Sequence, residues 1–179
     1  DLHLSIRRQR QMCISDSILA SPIGPIGLNI SAKGVTQLCY LASSQTIKQP
    51  RQGLAFEVKQ QLQDYFDSKI TAFDVPLDIH GTHYQQQVWR VLQDISYGQY
   101  QTYGEIAKTL HSGARAVGNA CRHNPVPIII PCHRVVRVDA VGGYCGSVSG
   151  RALQQKDWLL QHELSMHQTS SGIHRQGSL

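Results

Sequence analysis

No apolar run in this 179-residue chain approaches the length of a membrane span. The opening stretch, Asp1 to Gln11, is too basic and too interrupted for a signal peptide. No Met stands at position 1, which leaves a processed or engineered fragment open. Cys-x-x-Cys spacing is also missing. The five cysteines, Cys13, Cys39, Cys121, Cys132 and Cys145, form an odd set that suggests neither a disulfide framework nor a zinc knuckle. A reducing compartment is expected, and no metal. Charged residues are few, at 16% of the chain, yet the net charge is +5 and the sequence pI about 9.1, which permits a nucleic-acid partner without requiring one. Between Tyr100 and Arg137, Lys108, Arg115, Arg122, Arg134 and Arg137 face Glu105 alone, so a phosphate backbone would be attracted there.

Against these absences stands the run Ile128-Ile129-Ile130-Pro131-Cys132-His133-Arg134-Val135-Val136. The β-branched residues read as a short buried strand that Pro131 ends, because proline cannot donate to a ladder. Cys132 is thereby expected at a strand end, with an imidazole and a guanidinium next to it. A thiol reacts as its thiolate, and a neighbouring base or cation raises that population. Taken alone, a Cys-His pair is more often a small buried side chain beside a surface imidazole.

An early strand is predicted over Met12 to Ala20. Alternation at Ile26, Leu28 and Ile30, a turn at Lys33-Gly34 and a second run from Val35 to Leu41 predict an antiparallel hairpin. Leu54, Val58, Leu62, Tyr65 and Phe66 recur at helical spacing. Thr82 with Gln85 forms a capping box, after which Tyr84, Val88, Val91, Leu92 and Ile95 share a face until Gly98. Thr102 caps a helix through Leu110, and Ala114 to His123 forms another after the turn at His111-Ser112-Gly113. That pair reads as a helix-turn-helix. A last helix is expected from Arg151 to Leu164. The division is residues 1–81 as scaffold, 82–164 as the active domain and 165–179 as a disordered tail, since Ser165 to Leu179 is polar and lacks periodicity.

Several pieces fall in order from Pro76 to Glu163: Pro76-Leu77-Asp78 with Gly81-Thr82, Gln87-Val88-Trp89, Tyr103-Gly104-Glu105-Ile106-Ala107, Arg115-Ala116-Val117-Gly118, Asn124-Pro125, the Cys132 segment, Gly143-Tyr144, and Lys156 with Trp158-Leu159-Leu160. In these pieces, about half of the chain, the sequence resembles the O6-alkylguanine-DNA alkyltransferase family. The resemblance implies an α/β (α+β) protein, with a ribonuclease-H-like α/β domain before a mainly helical, winged helix-turn-helix-like domain. It implies irreversible transfer of an alkyl group from O6-alkylguanine in double-stranded DNA to the protein's own cysteine, by a monomer that uses no cofactor and no membrane. O4-alkylthymine is left open as a further substrate. The location implied is the cytoplasm of a bacterium or the nucleus of a eukaryote.

Carried over position by position, the resemblance makes Cys132 the nucleophile, His133 its base through a water, and Glu163 the group that orients the base. Asn124 would brace the second helix of the pair against the active-site turn, or simply cap that helix. Tyr103 would crowd the 3′ phosphate and donate a proton to guanine. Arg115 would fill the gap left by the flipped nucleotide. The small residues Ala114, Ala116 and Gly118 would let the helix lie close to a groove. Pro131, Val135, Tyr144 and Cys145 would wall the alkyl pocket. A thioether has no ready hydrolytic exit, so the protein would act once.

Two departures from the family pattern stand out. The interval from Tyr103 to Arg115 is short, and the loop Cys145-Gly146-Ser147-Val148-Ser149-Gly150-Arg151 is long, with Gly and Ser that suggest flexibility. Cys145 is a second candidate thiol without an adjacent His, whereas Cys121 reads as a packing residue. Three other functions compete: a non-catalytic alkylated-base recognition protein that recruits another repair pathway, a helix-turn-helix regulator, and a thiol hydrolase. Cys132 argues against the first and the small helix face against the second. The third would need an oxyanion hole that leaves no mark in the sequence.

Overall fold

A computed structural model describes residues 16–171 of the chain, with side chains through Ser165. It is a mixed α+β structure that divides into two compact units between Ile79 and His80. Among the described residues, no helix is long and apolar enough to cross a membrane.

The first unit is built on a three-stranded antiparallel sheet in the order β1-β2-β3: β1 (Ser17–Leu19), β2 (Ile26–Ile30) and β3 (Val35–Tyr40). Leu28 pairs with Ser17 on one side and Leu38 on the other, and the register slips at Asn29/Ile30. The early strand is shorter than expected, and residues 12–15 lie outside the described residues. Helix α1 (Gly53–Phe66) turns Ala55, Val58, Leu62 and Tyr65 inward at helical spacing and packs on β2. After it, the chain returns to the edge of β3, where Val35 N–H donates to Pro76 O at 2.8 Å and Asp78 N–H to Val35 O at 2.9 Å. Gly34 permits that approach. A Cβ on it would fall 2.5 Å from Pro76 O and 2.9 Å from the Leu77 carbonyl carbon.

In the second unit, α2 (His83–Gln93) starts at the expected capping box, with Gln85 N–H donating to Thr82 Oγ1 at 3.2 Å and Thr82 N–H to Gln85 Oε1 at 2.9 Å. It ends before the anticipated Gly98. Asp94 closes it, and Gly98, at φ 73°, shapes the loop beyond. Trp89, buried and absent from the predicted face, donates its indole N–H to Ala120 O at 3.0 Å. That carbonyl belongs to the last turn of another helix, so the bond meets a need every helix end has.

Strand β4 (Gln101–Thr102) leads through a second capping box, Thr102 with Glu105, into α3 (Tyr103–Thr109). A turn then feeds α4 (Ala114–Arg122). A 3₁₀ turn (Cys132–Arg134) runs into β5 (Val135–Val136), which pairs in parallel with β4. Helix α5 (Arg151–Ser171) closes the unit. It passes the expected end at Leu164, which corrects the disordered tail over residues 165–171; residues 172–179 lie outside the described ones. A polar sequence without periodicity can still propagate a helix that packing has already nucleated.

The predicted strand at Ile128–Ile130 is also corrected. These residues are buried but form a turn, with Ile128 at φ 76° and Ile130 N–H donating to Val126 O at 2.9 Å. Pro127 and Pro131 bracket the run without a donor, and burial of an apolar run does not by itself dictate a ladder. A β-branched residue at positive φ is an outlier that only surrounding packing sustains.

The Gly34 contacts yield a stability prediction. Gly34→Ala is expected to lower the unfolding free energy by about 1–3 kcal/mol, because backbone rather than a flexible side chain would have to move. Urea denaturation checks this, and an unchanged midpoint would show that the β3 edge yields freely.

Candidate active site

Cys132 is held by its own backbone. Pro131, at φ −81° and ψ 62°, is the centre of an inverse γ-turn in which Cys132 N–H donates to Ile130 O at 2.8 Å. Arg134 N–H then donates to Pro131 O at 2.9 Å, which winds Cys132, His133 and Arg134 into the 3₁₀ turn. Successive side chains therefore diverge about this turn instead of alternating across a strand.

Asn124 fixes the turn from the side of α4. Its Nδ2 donates to Ile130 O at 2.8 Å and to Cys132 Sγ at 3.2 Å, while its Oδ1 accepts from Val126 N–H at 3.0 Å. The last bond is an Asx turn of the kind an Asn-Pro pair favours. The Asn124 backbone N–H donates to Cys121 O at 3.2 Å, so the residue both closes α4 and braces the thiol.

His133 and Arg134 converge on Glu163, which α5 delivers. His133 Nε2 lies 2.7 Å from Glu163 Oε1. Arg134 forks onto both carboxylate oxygens, Nε to Oε2 at 2.9 Å and Nη2 to Oε1 at 3.0 Å, and Gly98 N–H donates to Oε2 at 3.1 Å. Burial alone would push the Glu163 carboxyl up, but the bonds and charges of His133 and Arg134 outweigh it and hold the group well below the usual carboxylate range. Burial pushes the fully enclosed His133 imidazole down, so it is neutral at neutral pH and donates from Nε2 to Glu163. Its Nδ1 is buried with no hydrogen-bond partner. Arg134, expected to act as the charge beside Cys132, instead belongs to this internal pair, and the surface excess of positive charge is reduced accordingly.

Burial pushes the Cys132 thiol up to about 11, with the Asn124 hydrogen bond and the Lys156 charge opposing it. The resting group is therefore a thiol at neutral pH. Lys156 is fully buried on α5, donates to Val135 O at 2.5 Å and Gly143 O at 3.0 Å, and lies 5.8 Å from the centroid of the Tyr103 ring. Burial pulls its ammonium down to about 8. Sequence reasoning used Lys156 only as a matching residue. Its spacing from Leu159, Leu160 and Glu163 would have placed it on the inward face. Burial raises the Tyr103 phenol, which stays protonated and donates to Gly143 O at 3.3 Å.

Above the thiol opens a cleft of about 340 Å³. Tyr103, Arg115, Gly118, Cys121, Tyr144 and Cys145 line it together with Cys132. Of the four expected pocket walls, Tyr144 and Cys145 contribute; Pro131 and Val135 are buried and do not line it, being engaged in the γ-turn and as an acceptor for Lys156. The wall after Tyr144 is ordered by a tight turn rather than left loose by its Gly and Ser. Tyr144 and Ser147 exchange two backbone bonds of 2.8 Å, and Cys145 and Gly146 both take positive φ, as a type I′ turn requires. A second groove of about 760 Å³ runs past Tyr103, Ala114, Arg115 and Gly118 to Arg137 and Val138. Ala116 is exposed on the same helix but lines neither. Among the described residues no group of three or more His, Cys, Asp or Glu converges as a metal site would require.

A buried thiol beneath a cleft that two arginines help to line, beside a pair of short helices joined by a turn, defines a protein built around one enclosed cysteine. The family model described as 6-O-methylguanine DNA methyltransferase, DNA binding domain, matches residues 83–165. A methylated-DNA--protein-cysteine methyltransferase of Methanosarcina acetivorans is 39% identical over 154 residues, covering 82% of this chain and 96% of that protein. One of Mycobacterium bovis is 42% identical over 136 residues, covering 72% and 82%. The crystal structure of the Mycobacterium tuberculosis O6-methylguanine methyltransferase superposes with a TM-score of 0.70 at 38% identity, over 83% of this chain and 91% of that one. The chain belongs to the methylated-DNA--protein-cysteine methyltransferase family.

The charge state of His133 makes stability depend on pH. Unfolded, an imidazole takes up its proton near pH 6.5, whereas the buried one does not, so the folded state loses stability as pH falls below about 6.5. Glu163 adds a loss of the same sign, but only below its unfolded value of about 4.3. Urea unfolding between pH 7 and 5 should therefore show a slope that His133→Gln makes shallower by up to about 1.4 kcal/mol per pH unit. Identical slopes would mean that His133 is protonated in the folded chain.

Proposed function

We propose that this protein removes the alkyl group from O6-alkylguanine in double-stranded DNA by transferring it to Cys132 Sγ, once and irreversibly. The observation that carries the reading is the buried thiol beside a neutral His133 whose Nε2 is tied to Glu163 and whose Nδ1 is left without a partner. An imidazole held by a carboxylate at one nitrogen is a base at the other. His133 Nδ1 takes the thiol proton through one water, and the Lys156 ammonium stabilises the thiolate.

The alkylated guanine leaves the stack and enters the cleft, because its O6 substituent is out of reach of a buried sulfur inside a duplex. The thiolate attacks the alkyl carbon, the carbon–oxygen bond breaks onto guanine, and the Tyr103 phenol, held protonated by burial, supplies a proton to the ring. Arg115, exposed at the second position of α4, fills the space the nucleotide leaves. Ala114, Ala116 and Gly118 keep the helix close to the groove. In this reading residues 1–81 are a ribonuclease-H-like scaffold and 82–164 a winged helix-turn-helix-like catalytic domain. The protein acts as a monomer in a reducing compartment such as the cytoplasm, where the thiol stays available.

Intact mass and peptide mapping after mixing with duplex DNA that contains O6-methylguanine test this. One methyl on Cys132, without turnover, is expected. Cys132→Ser should abolish transfer and keep DNA binding, and Arg115→Ala should slow duplex repair roughly tenfold while sparing the free base. Methyl found on Cys145 alone would overturn the nucleophile, equal losses on both substrates would remove the finger role, and binding without mass change would favour a recognition protein.

A further inference from the structure

The charged residues that line the alkyl pocket are of one sign. Its lining residues include Arg115 and Arg122 but no Asp or Glu, and the Lys156 ammonium is buried close to the thiol. The nearest groove does contain an acid, Asp139, but Arg137 pairs with it at 3.1 Å. Glu163 is fully engaged by His133, Arg134 and Gly98.

Arg122 is the exposed cation that lines the pocket beside the wall after Tyr144. It is the last residue of α4, and its stem lies against the type I′ turn: a Cβ on Gly146 would fall 2.9 Å from Arg122 Nε, 3.1 Å from Cγ and 3.3 Å from Cδ. The absence of a Cβ at Gly146 lets the arginine stem approach the turn this closely. Among the described residues the Arg122 guanidinium has no hydrogen bond or ion pair, unlike those of Arg134 and Arg137. A cation held in a cleft and left without a counterion is available to an anionic ligand.

We infer that Arg122 sets a charge preference in the alkyl pocket, favouring O6-alkyl groups that end in a carboxylate, of which carboxymethyl is the smallest. The inference rests on the transfer reaction proposed above. In that reaction the Cys132 thiolate attacks the methylene carbon of the O6–CH2–CO2⁻ arm. The carbon–sulfur bond forms as the carbon–O6 bond breaks, the bonding pair leaves with guanine, and guanine takes one proton. The carboxylate passes unchanged to S-carboxymethylcysteine. Two anions, the thiolate and the carboxylate, must approach each other for this to happen, and the two cations divide the work: Lys156 faces the sulfur and Arg122 faces the arm.

Three duplexes of one sequence, carrying O6-methylguanine, O6-carboxymethylguanine or O6-carbamoylmethylguanine, test the inference. The last is the neutral amide of the same size, so the carboxymethyl-to-carbamoylmethyl rate ratio isolates charge from bulk and from DNA binding. Single-turnover rates are read from the mass of the Cys132 peptide. Arg122→Ala is expected to lower that ratio about tenfold, the scale of one lost charge-assisted hydrogen bond in a partly open cleft. Arg122→Lys, which keeps the charge and most of the packing on Gly146, should retain most of the ratio, and Arg122→Glu should lower it further. An unchanged ratio in Arg122→Ala would overturn the inference, as would an equal fall in all three rates, which would make Arg122 a phosphate contact. Failure of the unmodified chain to transfer even methyl would overturn the proposed function and this inference together.

Discussion

The Glu163 carboxylate is the point on which the second unit depends. It takes a hydrogen bond from the imidazole of His133, a two-pronged one from Arg134 and one from the Gly98 backbone, and so joins α5 to the 3₁₀ turn and to the loop after α2. Enclosing a carboxylate and a guanidinium costs several kcal/mol for each ion, and mutual attraction offsets this only when the geometry is good and the remaining lone pairs are satisfied. Here they are satisfied. The arrangement contributes less to net stability than to placement, because it leaves the imidazole one tautomer and one orientation.

That placement explains how a sulfur can be both enclosed and reactive. Burial keeps Cys132 protonated at rest, which protects it from adventitious electrophiles and oxidants that act on thiolates. The same enclosure argues against acyl chemistry. A thiol hydrolase commonly draws on the nucleophile's own N–H to hold an oxyanion, and that group in Cys132 is already bonded to Ile130 O in the γ-turn. Displacement at a saturated carbon develops no oxyanion at that position and needs no such donor.

Much of this was legible in the sequence wherever local chemistry and tertiary packing agree. The capping box at Thr82, the cap at Thr102 and the hairpin around Lys33-Gly34 depend on spacing alone and stand as read, and so do Val58, Leu62 and Tyr65 on the inward face of α1, where Ala55 is buried and Leu54 and Phe66 only half-buried. The His133–Glu163 contact was legible through motif order, since a separation of thirty positions leaves no periodic signal. What failed did so for identifiable reasons. The three isoleucines before Pro131 are apolar because they are buried, not because they are paired, and a positive φ at Ile128 has no compositional mark. Arg134 looked like a surface charge because its partner sits on a distant helix. Gly98 looked like a helix stop although its N–H serves Glu163. The wall after Tyr144 looked loose because Gly and Ser suit tight turns and flexible linkers equally.

Lys156 carries a further meaning. Its ammonium is enclosed and bridges the carbonyls of Val135 and Gly143, so two separate stretches of backbone close over it. An acylating reagent reaches an amine only where solvent does. In a mixed population of lysines, most would be modified at the pace of simple collision, while this one would wait for the second unit to come apart around it. The folded chain thus contains a chronometer for its own opening, read in the labelling of a single amine.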